Sequence, residues 1–107
     1  MEKVIRDGMV AVLLSPDYGA GWSTWSGDEV KNIMLFHPKL VEMVESGKRL
    51  DITSEWIEEN IGITDHICVL GVEQLEVRWV KEGTSFRIDE YDGHESIFCG
   101  GGDMTTA

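Results

Sequence analysis

Apolar residues form one unbroken run near the start of the chain and then change to helical spacing. Residues 8–15 are long enough for a strand and carry almost no polar position, which is typical of a central strand covered on both faces. The residues after position 30 follow a helical stripe up to Pro38, which interrupts one helix and suits the first turn of the next. Gly47 is placed to end that second helix, and a third, short helix is predicted between a Thr53 cap and Gly62.

The first helix has its own start signal. Ser26 and Glu29 have the spacing of a capping box, in which the Ser hydroxyl accepts from a first-turn amide and the Glu reaches back to the cap amide. We therefore expect this helix to begin at Ser26, directly after the loop that follows the apolar strand.

From His66 onward the pattern becomes that of strands. Strands are predicted at 67–70, 75–80 and 85–91, with 81–84 as the turn of a half-buried hairpin. Asp92-Gly93 signals a tight turn before a last strand at 95–98. The predicted fold class is α+β. It is a single small domain over 1–99, with a central apolar strand, two to three helices on one face of a largely antiparallel sheet, and an antiparallel hairpin or meander. The glycine-rich residues 100–107 are predicted to be a flexible tail.

Composition narrows the range of partners. Nine Lys and Arg against twenty Asp and Glu give a net charge of −11, which disfavours direct binding to nucleic acid. No apolar run approaches the roughly 20 residues that span a bilayer, so no membrane partner is expected. The N-terminal residues lack the apolar core of a signal peptide, and Cys68 and Cys99 are too few for a disulfide framework, so we expect a cytoplasmic protein.

The segment between the apolar strand and the first helix is the candidate ligand site. It combines glycines, which allow close backbone approach, with flat aromatic faces and hydroxyls for polar edges. Its candidate ligand-binding residues are Asp17, Tyr18, Gly19, Gly21, Trp22, Ser23, Thr24 and Trp25. The free amides of this loop could also receive an anion, although the segment lacks the lysine of a P-loop and the third glycine of a dinucleotide fingerprint. The alternative is that both tryptophans fill the core and the glycines shape the turn.

Neither a cofactor, a metal site nor a catalytic residue is predicted. His66 and Cys68 would share one face of a strand, but no pair of ligands has the spacing of a structural zinc site. Cys99 stands before three glycines, which offer no rigid support for a nucleophile. The hairpin carries a last cluster of groups that could act as acids or bases: Asp89, Glu90, Asp92, His94 and Glu95. A third hypothesis is therefore an enzyme that uses the loop and the hairpin carboxylates.

Acidic residues are concentrated in one stretch. Between Arg49 and Arg78 the chain has no Lys or Arg and seven carboxylates. This stretch predicts a negative face that either serves solubility or meets a basic partner protein. The candidate partner-binding residues are Asp51, Glu55, Glu58 and Glu59.

Two segments carry a resemblance to other proteins: LSPDYGAGWSTW at 14–25 and GTSFRIDEYDGHESI at 83–97. Both resemble small uncharacterised proteins of tailed bacteriophages and prophages. The resemblance carries no known activity. It implies a small accessory protein that binds a host component rather than a self-contained enzyme.

Two functional hypotheses follow. The first is a non-enzymatic binding module, open to homo-oligomerisation, that recognises a small, nucleotide-like ligand through the aromatic loop. The second is an acidic inhibitor that occupies the basic cleft of a host protein that handles nucleic acid.

Overall fold

The apolar run near the N-terminus is the middle strand of the first of two antiparallel, three-stranded sheets. The computed structural model describes residues 1–99 and 105–107. The strands are β1 (Ile5–Arg6), β2 (Met9–Leu14), β3 (Glu76–Lys81), β4 (Ser85–Tyr91), β5 (His94–Cys99) and β6 (Thr105–Thr106). The α-helices are α1 (Lys31–Phe36), α2 (Pro38–Glu45) and α3 (Ser54–Asn60). Three helices and two antiparallel sheets make one small domain, which confirms the predicted α+β class.

The two sheets have the strand orders β1-β2-β3 and β5-β4-β6. Alternate residues of β2 enter two different core clusters, which explains why the strand has no polar position. Ala11 and Leu13 pack in the cluster that contains the helices and Trp22. Val10 and Val12 pack on the other face, in the cluster that contains the edge-to-face ring pair Phe36 and Phe86. The predicted burial of β2 on both faces is confirmed.

The predicted helix ends are also confirmed. The helix α1 ends at Phe36, and Pro38 is the first residue of α2. Gly47 has a φ of 76° just after α2, and Gly62 has a φ of 93° just after α3. The Thr53 hydroxyl accepts a hydrogen bond from the Trp56 amide, as expected of an N-cap.

The predicted capping box does not form. A short 3₁₀ turn, Asp28–Val30, precedes α1, and no side chain caps it. The Ser26 hydroxyl instead donates to the Trp22 carbonyl and accepts from the Cys68 amide. Ser26 therefore ties the aromatic loop to a segment distant in sequence, and spacing alone could not reveal this competing use.

The predicted strand at 67–70 does not form either. Ile67 and Val69 pack against the first core cluster. The backbone on both sides of Ile67 bonds to the region before α1, because the Gly27 amide donates to the His66 carbonyl and the Cys68 amide donates to the Ser26 hydroxyl. These apolar residues are held by side-chain packing without a strand partner.

The turn at 81–84 is present, but the strands on its two sides do not form the predicted hairpin. The strand β3 pairs with β2, whereas β4 pairs with β5 and β6. Val77 and Trp79 of β3 pack against the first cluster, whereas Val80 of β3 lies in the second cluster with Phe86 of β4. The strand β3 pairs along its whole length with β2, a partner distant in sequence that local pattern could not indicate. The tight turn at Asp92-Gly93 does join β4 to β5.

The end of the chain returns to the second sheet. Thr105 and Thr106 pair with β4, and Ala107 is buried with its amide bonded to the Thr84 carbonyl. These three residues are therefore part of the folded unit, where a free tail was expected. The rest of the predicted tail, 100–104, lies outside the described residues.

His37 caps α2 in a way that depends on its protonation state. Its Nδ1 accepts a hydrogen bond from the Lys39 amide at 3.1 Å, which requires an unprotonated Nδ1. Burial lowers the pKa of His37 from its ordinary value of 6.5, and the charge of Lys39 acts in the same direction. Because the folded state disfavours the protonated imidazole, its stabilising contribution is complete above pH 6.5 and is lost as the pH falls through the lowered folded-state pKa.

We predict that His37→Asn reduces the pH dependence of stability. Asn can still accept at the N-cap but does not titrate in this range. Urea unfolding at about pH 7.5 and about pH 5.5 should show a larger loss of unfolding free energy in the native protein than in the variant. Equal losses would mean that the His37 cap contributes nothing to the acid sensitivity.

Candidate functional site

The aromatic loop is organised around one buried carboxylate that belongs to β5. The side chain of Glu95 is 1% exposed. Its Oε1 accepts from the Ser15 amide at 2.8 Å. Its Oε2 accepts from the Trp22 amide at 2.8 Å, the Thr24 amide at 3.1 Å and the Thr24 hydroxyl at 2.6 Å. Four donors thus saturate the carboxylate, which removes most of the cost of burying its charge.

The hairpin turn brings Glu95 to this position. Asp92 and Gly93 both have positive φ, as a two-residue turn requires, so β5 begins directly beside the end of β4. The Glu95 amide then donates to the Ser15 carbonyl at 2.8 Å, which fixes the start of β5 against the end of β2. Its side chain follows the inward direction of Ile97, toward the loop.

Two glycines allow other segments to approach the loop. A Cβ at Gly93 would lie 2.8 Å from the carbonyl carbon of Gly19 and would also collide with the Ala20 amide nitrogen. A Cβ at Gly71 would lie 2.7 Å from the Gly21 carbonyl oxygen. The loop is therefore enclosed by the hairpin on one side and by the turn before β3 on another.

The structure separates the predicted site residues into two groups. Trp22 is fully buried in the first core cluster, and its indole N–H donates to the Met34 carbonyl at 2.7 Å. Gly21 and Ser23 are buried beside it. Both faces of the Trp22 ring are consequently covered by protein, as in the alternative where a tryptophan of this loop fills the core.

The remaining predicted residues lie at the surface. Tyr18 is 65% exposed and Trp25 is 42% exposed. The Tyr18 ring stands beside that of His94, with ring centroids 5.0 Å apart at 30°. Asp17, Gly19 and Thr24 are also exposed, although the Thr24 hydroxyl is engaged by Glu95. The loop therefore displays two aromatic side chains from a backbone held in one conformation.

The sequence suggested that free amides of this loop could bind an external anion, but two of these amides already donate hydrogen bonds within the chain. The Trp22 and Thr24 amides donate to Glu95, which is an anion supplied by the chain itself. The sequence placed Glu95 among hairpin carboxylates with acid–base potential. A structural role was signalled by its alternation, since Glu95 shares a strand face with Ile97 rather than with Ser96.

A cleft of about 250 Å³ lies beside the loop. One wall of the cleft is formed by the loop, the 3₁₀ turn before α1 and α1 itself. The other wall is formed by β4 and β6. The lining residues are Ser23, Thr24, Asp28, Lys31, Leu35, Arg87, Ile88 and Thr105. Lys31 and Arg87 were not among the predicted site residues, because no local motif marks either of them.

A larger and more open groove lies elsewhere, between β1 and α2. It has a volume of about 490 Å³ and includes Arg6, Glu42 and Glu45. Arg6 forms a two-nitrogen ion pair with Glu45, and this hydrogen bond raises the pKa of Arg6. The groove touches none of the predicted ligand-binding residues, so the cleft beside the loop is the better candidate.

The acidic candidate residues lie on one exposed stretch around α3. Glu55, Glu58 and Glu59 are exposed, and so is Asp51 in the 3₁₀ turn Arg49–Asp51. Within the described residues none of these four forms an ion pair, which leaves their charges facing solvent.

Other titratable candidates have local partners. His66 lies 3.6 Å from a Glu29 carboxylate oxygen, and Cys68 is half-buried without converging on it as a metal site. Asp89 pairs with Arg87, and Glu90 accepts from the Gly93 amide. Among residues 1–99 and 105–107, no group of three or more His, Cys, Asp or Glu side chains is placed to hold a metal ion. Over the same residues, none of the helices has the length and apolarity to cross a membrane.

The Glu95 network yields a first prediction for the site. Glu95→Gln replaces one carboxylate oxygen with an NH₂ group, which cannot accept a hydrogen bond and faces donors that the native carboxylate satisfies. The substitution should therefore lower the unfolding free energy by about 2–4 kcal/mol. Glu90→Gln is the matched control, because Glu90 lies opposite Glu95 in the hairpin and, among the described residues, accepts one hydrogen bond, from the Gly93 amide. Its cost should stay below about 1.5 kcal/mol in the same urea titration. Similar losses in the two variants would contradict a special role for Glu95.

The glycine contacts yield a second prediction. Gly93 and Gly83 have φ values of 85° and 86°, so alanine is conformationally strained to the same degree at both. A Cβ at Gly83 meets nothing within 4 Å, whereas one at Gly93 collides with the loop backbone. Gly93→Ala should therefore cost about 1–3 kcal/mol more than Gly83→Ala in thermal or urea unfolding. Equal costs would show that the hairpin does not press on the loop.

The chain was compared with protein-family models, curated proteins and solved structures. No family model, curated protein or solved structure matches the chain.

Proposed function

We propose that the protein is a non-enzymatic binding module that recognises a small, nucleotide-like ligand through the aromatic loop 17–25. The observation that carries this proposal is the fixation of an aromatic loop by a buried carboxylate. Glu95 holds the Ser15, Trp22 and Thr24 amides together, while Tyr18 and Trp25 stay exposed. A recognition loop fixed in this way loses little conformational entropy on binding.

Stacking is the interaction that this loop can offer. An exposed Trp or Tyr ring provides a flat apolar face that suits an aromatic base. Tyr18 is already supported from one side by the His94 ring. Trp25 rests near Gly21, where even a Cβ would lie 2.6 Å from its Cδ1 atom, so the indole is seated on the loop backbone. We propose Trp25 and Tyr18 as the stacking residues and assign Trp22 to the core.

Native mass spectrometry of the protein as purified, compared with the denatured spectrum, is the first test. A mass that is lost on denaturation would be the captured ligand, and the native mass would also give the oligomeric state. The identified ligand, or AMP where none is captured, is then titrated against tryptophan fluorescence.

We predict that Trp25→Ala weakens this binding by about tenfold or more, the loss of one stacking contact of about 1–3 kcal/mol. The change in unfolding free energy caused by Trp25→Ala should exceed that of substitutions at other exposed sites by less than about 0.5 kcal/mol. Tyr91→Ala is the matched control, because Tyr91 is an exposed aromatic residue of β4 outside the loop. The proposal fails if no small molecule binds, or if the two variants bind equally well.

We propose inhibition of a basic host protein as the second candidate function. It is favoured by four exposed carboxylates without ion pairs among the described residues, within a chain of net charge −11. Long-range attraction of this kind weakens as salt rises, whereas stacking in a pocket does not. Capture of a partner that persists at high salt, or after Glu55→Lys and Glu58→Lys, would count against it. A phage-type accessory protein acting in the cytoplasm is the context we propose for either function.

A further inference from the structure

We infer that a second copy of this chain docks on the solvent-facing side of the second sheet and forms a weak two-fold dimer. We call this side the outer face. It is built by the residues of β4 and β5 that alternate with the core positions: Ser85, Arg87, Asp89, Tyr91, Ser96 and Phe98. The inference goes beyond the proposed function, because none of these residues belongs to the aromatic loop.

The outer face is exposed although it carries large aromatic rings. Tyr91 is 75% exposed and Phe98 is 47% exposed. Neither ring packs in a core cluster of the described residues, since Phe86, Ile88 and Ile97 take the inward positions of the same strands. Large apolar groups on one exposed face are a mark of protein–protein contact.

The two charges at the centre of the outer face are opposite in sign. The Arg87 Nε donates to Asp89 Oδ1 at 2.8 Å, and the guanidinium lies over the Phe98 ring with 4.4 Å to the centroid. Among the described residues neither charge forms another ion pair, so the terminal nitrogens of Arg87 and the second oxygen of Asp89 remain for a partner. The pair is neutral as a unit, which reduces at this face the repulsion that a net charge of −11 imposes between two copies.

The order of the charges along β4 is self-complementary. In a two-fold dimer of aligned sheets, an axis between the two outer faces can cross the strands at the level of Ile88. Each outer residue of β4 then meets the residue that lies equally far on the other side of Ile88 in the second copy. Arg87 faces Asp89 of the second copy and Asp89 faces its Arg87, so four alternating charges meet and neither internal pair has to break.

The same axis brings large side chains against small ones. On β4, Tyr91 faces Ser85 of the second copy. On β5, which pairs in register with β4, Phe98 faces Ser96 of the second copy. Alternation of large and small side chains lets two sheet faces interdigitate. The outer face is therefore matched by itself in charge and in size, which favours a second copy over an unrelated partner.

The size of the outer face limits the strength of the dimer. The seven residues of β4 extend about 23 Å at roughly 3.3 Å per residue, and the sheet has three strands. Each copy therefore buries well under the roughly 800 Å² of a standard interface. We expect a dissociation constant of about 10–100 µM.

The test is sedimentation velocity of the full chain from about 5 µM to about 1 mM, with charges reversed at the centre of the outer face. Arg87→Asp places carboxylates at both central positions, and Asp89→Arg places cations at both. Each variant alone should raise the dissociation constant of the dimer about tenfold or more, because every charge contact across the axis becomes repulsive. An equimolar mixture of the two variants should dimerise again, because carboxylates then face cations across the axis.

The chain supplies a matched control for the charge reversal. Arg78 and Glu76 form an exposed ion pair of the same residue spacing on β3, outside the outer face. Arg78→Asp and Glu76→Arg should leave the dissociation constant unchanged, both alone and mixed. Phe98→Ser should weaken the dimer severalfold without changing any charge, and it keeps the test decisive where a charge reversal unfolds the chain.

Three results would overturn the inference. The first is a native protein that stays monomeric up to about 1 mM, as it would where a different protein covers the outer face. The second is a dimer that the control variants weaken as much as the variants of Arg87 and Asp89. The third is a mixture of Arg87→Asp and Asp89→Arg that remains monomeric while the native protein dimerises.

Discussion

The Glu95 carboxylate is the interaction on which the arrangement of this protein depends. It is buried, and it joins the end of β2, the aromatic loop and the start of β5 through four hydrogen bonds. A buried charge without partners would destabilise the fold by several kcal/mol. Its donors must therefore stay in place, and the loop backbone is confined to one conformation as a result.

This confinement explains why so many unusual residues occur in one short loop. Gly93 and Gly71 allow the hairpin and the turn before β3 to lie against its backbone. Trp22 anchors the loop to the core, because its ring packs in the first core cluster and its indole N–H donates to the Met34 carbonyl. Ser26 fastens its far end to Cys68. With the backbone fixed on several sides, Tyr18 and Trp25 are presented outward at little entropic cost.

The Glu95 hydrogen bonds also occupy loop amides that could otherwise bind an anion. Amides before a helix attract anions, and here Glu95 satisfies that tendency from within the chain. The exposed carboxylates around α3 have no such partners among the described residues, and that acidic face is turned to solvent.

The sequence by itself determined the elements whose causes are local. The apolar run of β2, the break at Pro38, the Thr53 cap and the Asp92-Gly93 turn follow from backbone geometry and nearest neighbours, and all are present. Tertiary structure decided what depends on partners distant in sequence. The Ser26 hydroxyl bonds the Cys68 amide instead of capping a helix, and β3 pairs with β2 rather than with β4. Glu95 became a structural carboxylate because folding placed donors around it that lie more than 70 residues away in the chain.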